Sequence, residues 1–84
     1  MDIITVTGCI AGLLTTASFL PQVIRSWRLR ETRDLSLTML VMFAIGVFLW
    51  IIYGIRVNSF PIVAANAVTL VLIAVLLYLK AVYH

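Results

Sequence analysis

Asn66 and Trp50 are the side chains with most to offer a small ligand. Asn66 is the strongly polar group of an otherwise apolar stretch, and Thr69 follows on the same side of a helix. An amide in hydrocarbon needs partners, so it must face a helix bundle or a watery cavity. It presents both a donor and an acceptor, which suits a hydroxyl-rich solute. Trp50 belongs to a stripe of Met39, Phe43, Gly46, Trp50 and Tyr53, spaced by four, three, four and three residues. Gly46 leaves a notch between two aromatic rings, which can hold a small ring-shaped ligand or admit a neighbouring helix. Thr15, Ser18 and Gln22 form a polar face on an earlier helix. Gly8 with Gly12, and Ala11 with Thr15, are small-residue pairs that read first as close helix packing.

The charges lie elsewhere. No Asp, Glu, Lys, Arg or His falls between Asp2 and Arg25, between Asp34 and Arg56, or between Arg56 and Lys80. That pattern excludes hydrolytic, redox and metal-dependent chemistry at depth, so no enzyme, cofactor or metal is expected. It also disfavours a proton-coupled pump, and it suits an uncharged polar solute moving down its own gradient. Cys9 stands alone in an apolar stretch and is read as a buried small hydrophobe.

The elements that position these residues are membrane helices. Hydrophobic residues make up 64% of the 84-residue chain and charged residues 11%, against roughly 25% charged in a soluble domain. Three uncharged segments match the ~20 residues needed to cross a ~30 Å hydrocarbon core. One transmembrane domain over residues 1–84 is predicted, with helices over about 3–24, 36–55 and 61–79. The first apolar run has no basic residue before it, and Pro21-Gln22 is a poor cleavage site, so a removed signal peptide is not expected. Five basic residues fall on one side of the three spans and one on the other. The positive-inside rule then puts the N-terminus outside and the C-terminus in the cytoplasm. The arginine run serves this topology rather than nucleic-acid binding.

Ser36 is placed to cap the second helix. Pro61 suits the first turn of the third, where its missing N–H costs nothing. The short connection 56–60 makes the second and third helices antiparallel neighbours. Pro21 lacks the N–H that would bond the carbonyl of Ala17, which predicts a kink or hinge there unless the proline merely ends the helix. Three helices packed as a triangle leave no room for both a cavity and its wall. A parallel homodimer would supply six helices around one cavity, with Trp50 and Asn66 each present twice.

Three segments in order now carry a resemblance. Phe19-Leu20-Pro21-Gln22 resembles the PQ-loop motif, Leu49-Trp50-Ile51-Ile52-Tyr53-Gly54 the end of a second helix, and Pro61-Ile62-Val63-Ala64-Ala65-Asn66 the start of a third. Together they resemble the bacterial SemiSWEET sugar transporters, half-size relatives of the SWEETs; the proline–glutamine pair alone is shared with cystine and basic amino-acid carriers. The resemblance implies an all-α three-helix bundle in spatial order 1-3-2, working as a parallel homodimer in the bacterial inner membrane. It implies facilitative transport of a mono- or disaccharide by alternating access, with Trp50 and Asn66 contacting sugar. Pro21 and Gln22 then correspond to the hinge, Tyr53 and Arg56 to an extracellular gate, and Phe19, Met39 and Phe43 to an intracellular one. Asn58 stands where some relatives carry an aspartate able to pair with the gate arginine. An amino-acid carrier of the PQ-loop type and an accessory membrane subunit are the competing expectations.

Overall fold

A computed structural model describes residues 2–33 and 35–83, and these form three helices: α1 (Ile3–Leu29), α2 (Leu37–Arg56) and α3 (Phe60–Tyr83). All three are long and apolar enough to cross a membrane. Most of their large apolar side chains are exposed, while the buried core reduces to Val23, Leu35, Leu40, Val47, Ile73, Leu76 and Leu79 among the described residues. In water that surface would be prohibitive; in lipid it is the solvated face. The long dimension, 43 Å, covers a ~30 Å hydrocarbon core and its interfaces.

Each helix end is explained locally. The Asp2 carboxylate accepts from the Thr5 amide at 2.8 Å and caps α1. Hydrogen bonds from the Thr5 side chain and amide hold this carboxyl below its usual range, so the charged cap persists at neutral pH and fades only as pH falls through that lowered value. Ser36 Oγ accepts from the Met39 amide at 3.2 Å and caps α2 as its position predicts. Ser59 Oγ does the same for α3 through the Ile62 amide at 3.4 Å, which leaves Pro61 in the first turn. Asn58 has φ 56°, a left-handed conformation that asparagine tolerates. Its turn lets the Ser59 amide donate back to the Gly54 carbonyl at 2.9 Å and closes α2.

Helix α1 does not stop at the proline. It runs through Pro21 to Leu29, beyond the predicted end at Ile24, and the helix ends instead at Arg30, whose φ is 52°. Pro21 is therefore an interior position with one backbone hydrogen bond missing, and the expectation that it merely ends the helix is set aside. α3 likewise continues past the predicted Leu79 to Tyr83.

The helices lie in the order 1-3-2. α3 packs against both others, whereas no Cα of α1 comes within 8 Å of α2. The triangle assumed from sequence is thus replaced by an open V with α3 at its vertex. The α1–α3 seam is a ladder of small residues at four-residue intervals. A Cβ on Gly8 would lie 3.0 Å from Pro61 Cβ, and one on Gly12 would lie 2.6 Å from Ala65 Cβ. One turn further, the Thr16 and Thr69 hydroxyls share a hydrogen bond at 3.2 Å. Both helices advance in the same direction along this ladder, so they are parallel neighbours. On the other side, Gly54 lets α2 approach Ile62 and Val63 of α3, close beside the short connection that makes this pair antiparallel.

A Gly12→Val substitution should therefore separate α1 from α3. Overpacking of this kind destabilises by roughly 1–3 kcal/mol, to be read as a lower melting temperature of the purified protein. Gly46→Ala is the matched control, because nothing lies within 4 Å of the Cβ it would add; the fold of a single protomer should tolerate it.

Candidate functional site

The open side of the V contains a groove that runs almost the length of the molecule. Its widest part, about 650 Å³, lies between α1, α3 and the Val57–Ser59 connection and is lined by Thr5, Thr15, Asn66 and Thr69 among others. Thr15, Asn66 and Thr69 are shared with a second opening of about 410 Å³, which adds Ser18, Gln22, Phe43 and Val47. Gln22 in turn leads to a third, about 360 Å³, at the arginine-rich end. Asn66 lines the first two openings and Gln22 the last two, so one polar track links the two ends of the molecule.

The hydroxyls of this track donate back to their own helices, and Thr69 also accepts from Thr16 across the α1–α3 seam. Thr15 Oγ1 donates to the Ala11 carbonyl at 3.0 Å, Ser18 Oγ to Thr15 at 2.8 Å, and Thr69 Oγ1 to Ala65 at 2.8 Å. Their remaining lone pairs are acceptors for a ligand that brings its own O–H donors. Asn66 Nδ2 donates to the Ile62 carbonyl at 2.8 Å. That bond fixes the amide and leaves its carbonyl and second N–H for a ligand. The track carries no charge between its ends. At the arginine-rich end the described ion pair joins Arg33 and Glu31 at 3.2 Å on the surface, where such a pair contributes little.

The residues singled out from sequence are distributed unevenly about this groove. Pro21 and Gln22 lie where the second opening passes into the third. Phe19 of α1 and Phe43 of α2 meet edge to face at 5.7 Å and 79°, bridging the mouth of the V although the two backbones stay apart. Met39 lies one turn nearer the arginine-rich end on the same stripe as Phe43 and is exposed. Trp50 and Tyr53 pack edge to face at 5.5 Å. Their stripe is not covered within the protomer: Trp50 is 54% exposed and does not line the groove with Asn66. Arg56 closes α2 at the opposite end from the arginine run.

The small-residue pairs of α1 separate into two roles. Gly8 and Gly12 pack against α3, as sequence reasoning expects. Both glycines also border the groove, which Ala11 and Thr15 line without a part in that close packing. Thr5, likewise on the groove wall, was not anticipated. A signal existed: Thr15, Ser18 and Gln22 share one face, but a hydroxyl that bonds back to its own helix looks the same in sequence whether it packs or lines a path.

The PQ-loop repeat family matches residues 3–63. The chain is 49% identical over 73 residues to the sugar transporter SemiSWEET of Leptospira biflexa, covering 87% of this chain and 86% of that protein. It is 46% identical to the sugar transporter SemiSWEET of Escherichia coli over 88% of this chain and 83% of that one. Among solved structures, it resembles a bacterial homologue of SWEET transporters at 35% identity and TM-score 0.93, over 99% of this chain and 100% of that one. It also resembles a SemiSWEET in the inward-open conformation at 43% identity and TM-score 0.90, over 98% and 88%.

Proposed function

The chain belongs to the SemiSWEET branch of the PQ-loop family, and from that premise we propose that it carries small neutral sugars passively across the membrane by alternating access. One observation carries the proposal: the polar, charge-free groove past Asn66, open along the side that a second copy would close. A sugar offers hydroxyl donors to the groove's acceptor oxygens and an apolar ring face to an indole. With no Asp, Glu, Lys, Arg or His at membrane depth, the site has no carboxylate, amine or imidazole to protonate during the cycle, which fits a uniporter.

The working unit is a parallel homodimer in the bacterial inner membrane, its N-terminus outside and its C-terminus in the cytoplasm. The open V and the uncovered Trp50–Tyr53 face support the dimer, and the clustering of arginines beyond α1 supports the orientation. Two Trp50 rings and two Asn66 amides then converge on one sugar. Tyr53 and Arg56 form the outer gate, and Phe19, Met39 and Phe43 the inner one. Asn58 cannot supply a carboxylate to Arg56, and its backbone already serves to end α2, so the outer gate closes through contacts other than an ion pair with residue 58. Pro21, beside Gln22, is the hinge on which the inner arm of α1 moves.

Uptake of labelled glucose and sucrose into liposomes containing the protein tests this reading. Asn66→Ala should lower the flux about tenfold or more, since each lost hydrogen bond is worth about 1 kcal/mol and the dimer loses a pair. Flux indifferent to that change would place sugar recognition elsewhere.

A further inference from the structure

Lys80 belongs to neither the groove nor the gates, yet it joins two parts of the chain 48 residues apart. Its ammonium donates to the Thr32 carbonyl at 3.0 Å, and the same carbonyl accepts from the Leu35 amide at 3.0 Å. Thr32 is only 2% exposed and Leu35 3%. Leu35 is packed with Val23, Leu40 and Leu76, one residue from each helix. Close by, the Arg30 guanidinium lies 5.8 Å from the centre of the Tyr83 ring. The last turns of α3 thus hold the connection between α1 and α2 at two points.

The arm of α1 between these holdings and Pro21 has a pivot at each end. At Pro21 a backbone hydrogen bond is missing. At the other end α1 stops in the left-handed residue Arg30, where the amides of Arg30 and Glu31 both donate to the Ser26 carbonyl. We propose that Lys80 is a positioning residue: it pins the loop at Thr32, so that the arm Gln22–Leu29, seated in the core through Val23 and Ser26, bends at Pro21 only as that contact opens. The pin sets the rate of conformational exchange and does not touch the sugar. This rests on the carrier function proposed above, in which that arm moves.

Lysine suits the task because a charged donor to a carbonyl is stronger than a neutral one. Its aliphatic stem lies along the end of the bundle while the head reaches the backbone. Lys80→Met keeps the stem and removes the donor; Lys80→Arg keeps the donor and the charge that orients the protein.

Amide hydrogen exchange and sugar counterflow, measured on the full chain in lipid, test the proposal together. In Lys80→Met, exchange at Leu35 and its neighbours should quicken about ten- to hundredfold, the range set by one charged hydrogen bond. Exchange along the α2–α3 seam should stay unchanged. The maximal counterflow rate should change several-fold with KM unaltered, and Lys80→Arg should restore both loop protection and rate. Unchanged loop exchange overturns the pin. So does exchange that quickens throughout the bundle with KM and rate shifting together, which marks a merely structural lysine. Wild-type protein without sugar flux would instead sink the carrier reading, while the exchange data still decide whether Lys80 holds the loop.

Discussion

Trp50→Ala should abolish most saturable sugar flux, by on the order of a hundredfold, the scale of a buried aromatic hot spot worth over 2 kcal/mol. The size follows from geometry and symmetry. The ring is half exposed in the protomer and rests on Tyr53 alone among the described aromatic pairs. Little of the protomer's own packing depends on it. In a parallel dimer one substitution removes two rings, and with them the two apolar walls that would flank a sugar. Trp50→Phe should keep an intermediate rate, because a smaller ring still offers a face. Melting temperature and elution volume should be nearly unchanged in both variants. A flux that survives Trp50→Ala would mean that the exposed stripe of α2 contacts lipid or another protein, as expected of an accessory subunit.

Pro21→Ala should move stability and transport in opposite directions. Helix α1 already continues on both sides of the proline, so alanine can supply the missing amide to the Ala17 carbonyl without refolding anything. Proline in a helix interior is unfavourable by up to about 3 kcal/mol relative to alanine. The variant should therefore melt at a higher temperature. If the missing bond is the hinge, the same change stiffens the inner arm and slows turnover, while KM stays near wild type because Trp50 and Asn66 are untouched. A more stable variant with undiminished turnover would show that α1 moves elsewhere or as a rigid rod. This opposition of signs separates a functional irregularity from a tolerated one.

The spans were legible in the sequence because charge and hydropathy alone dictate them, and the Ser36 cap because of its residue type and place; the Asp2 and Ser59 caps were not foreseen. Nor was the place where α1 ends. The lone arginines following Ile24 look like the edge of the membrane, whereas the helix is closed by the backbone turn at Arg30, a position that residue type hardly marks. Asn58 was visible as a departure from relatives that carry aspartate, but its φ of 56° and its role in ending α2 required coordinates. The order 1-3-2 came from the resemblance alone. Its physical basis is the ladder of Gly8, Gly12 and Thr16 against Pro61, Ala65 and Thr69, of which sequence showed only the glycine half. The site was half legible. Asn66 was conspicuous as an amide in hydrocarbon, and it lines the groove. Trp50 was conspicuous too, yet within one protomer it stands apart from Asn66. The Lys80–Thr32 contact was invisible, since nothing in sequence relates a terminal lysine to a backbone carbonyl so distant along the chain.

A charge-free path should carry neutral sugar without an energy source. Uptake of labelled glucose or sucrose by proteoliposomes, followed over time with and without an imposed proton gradient, tests it most directly. Uptake should saturate and stop when inner and outer concentrations match, indifferent to the proton gradient and competed by unlabelled sugars but not by amino acids. Accumulation beyond equilibrium when protons flow, or competition by amino acids alone, would contradict it.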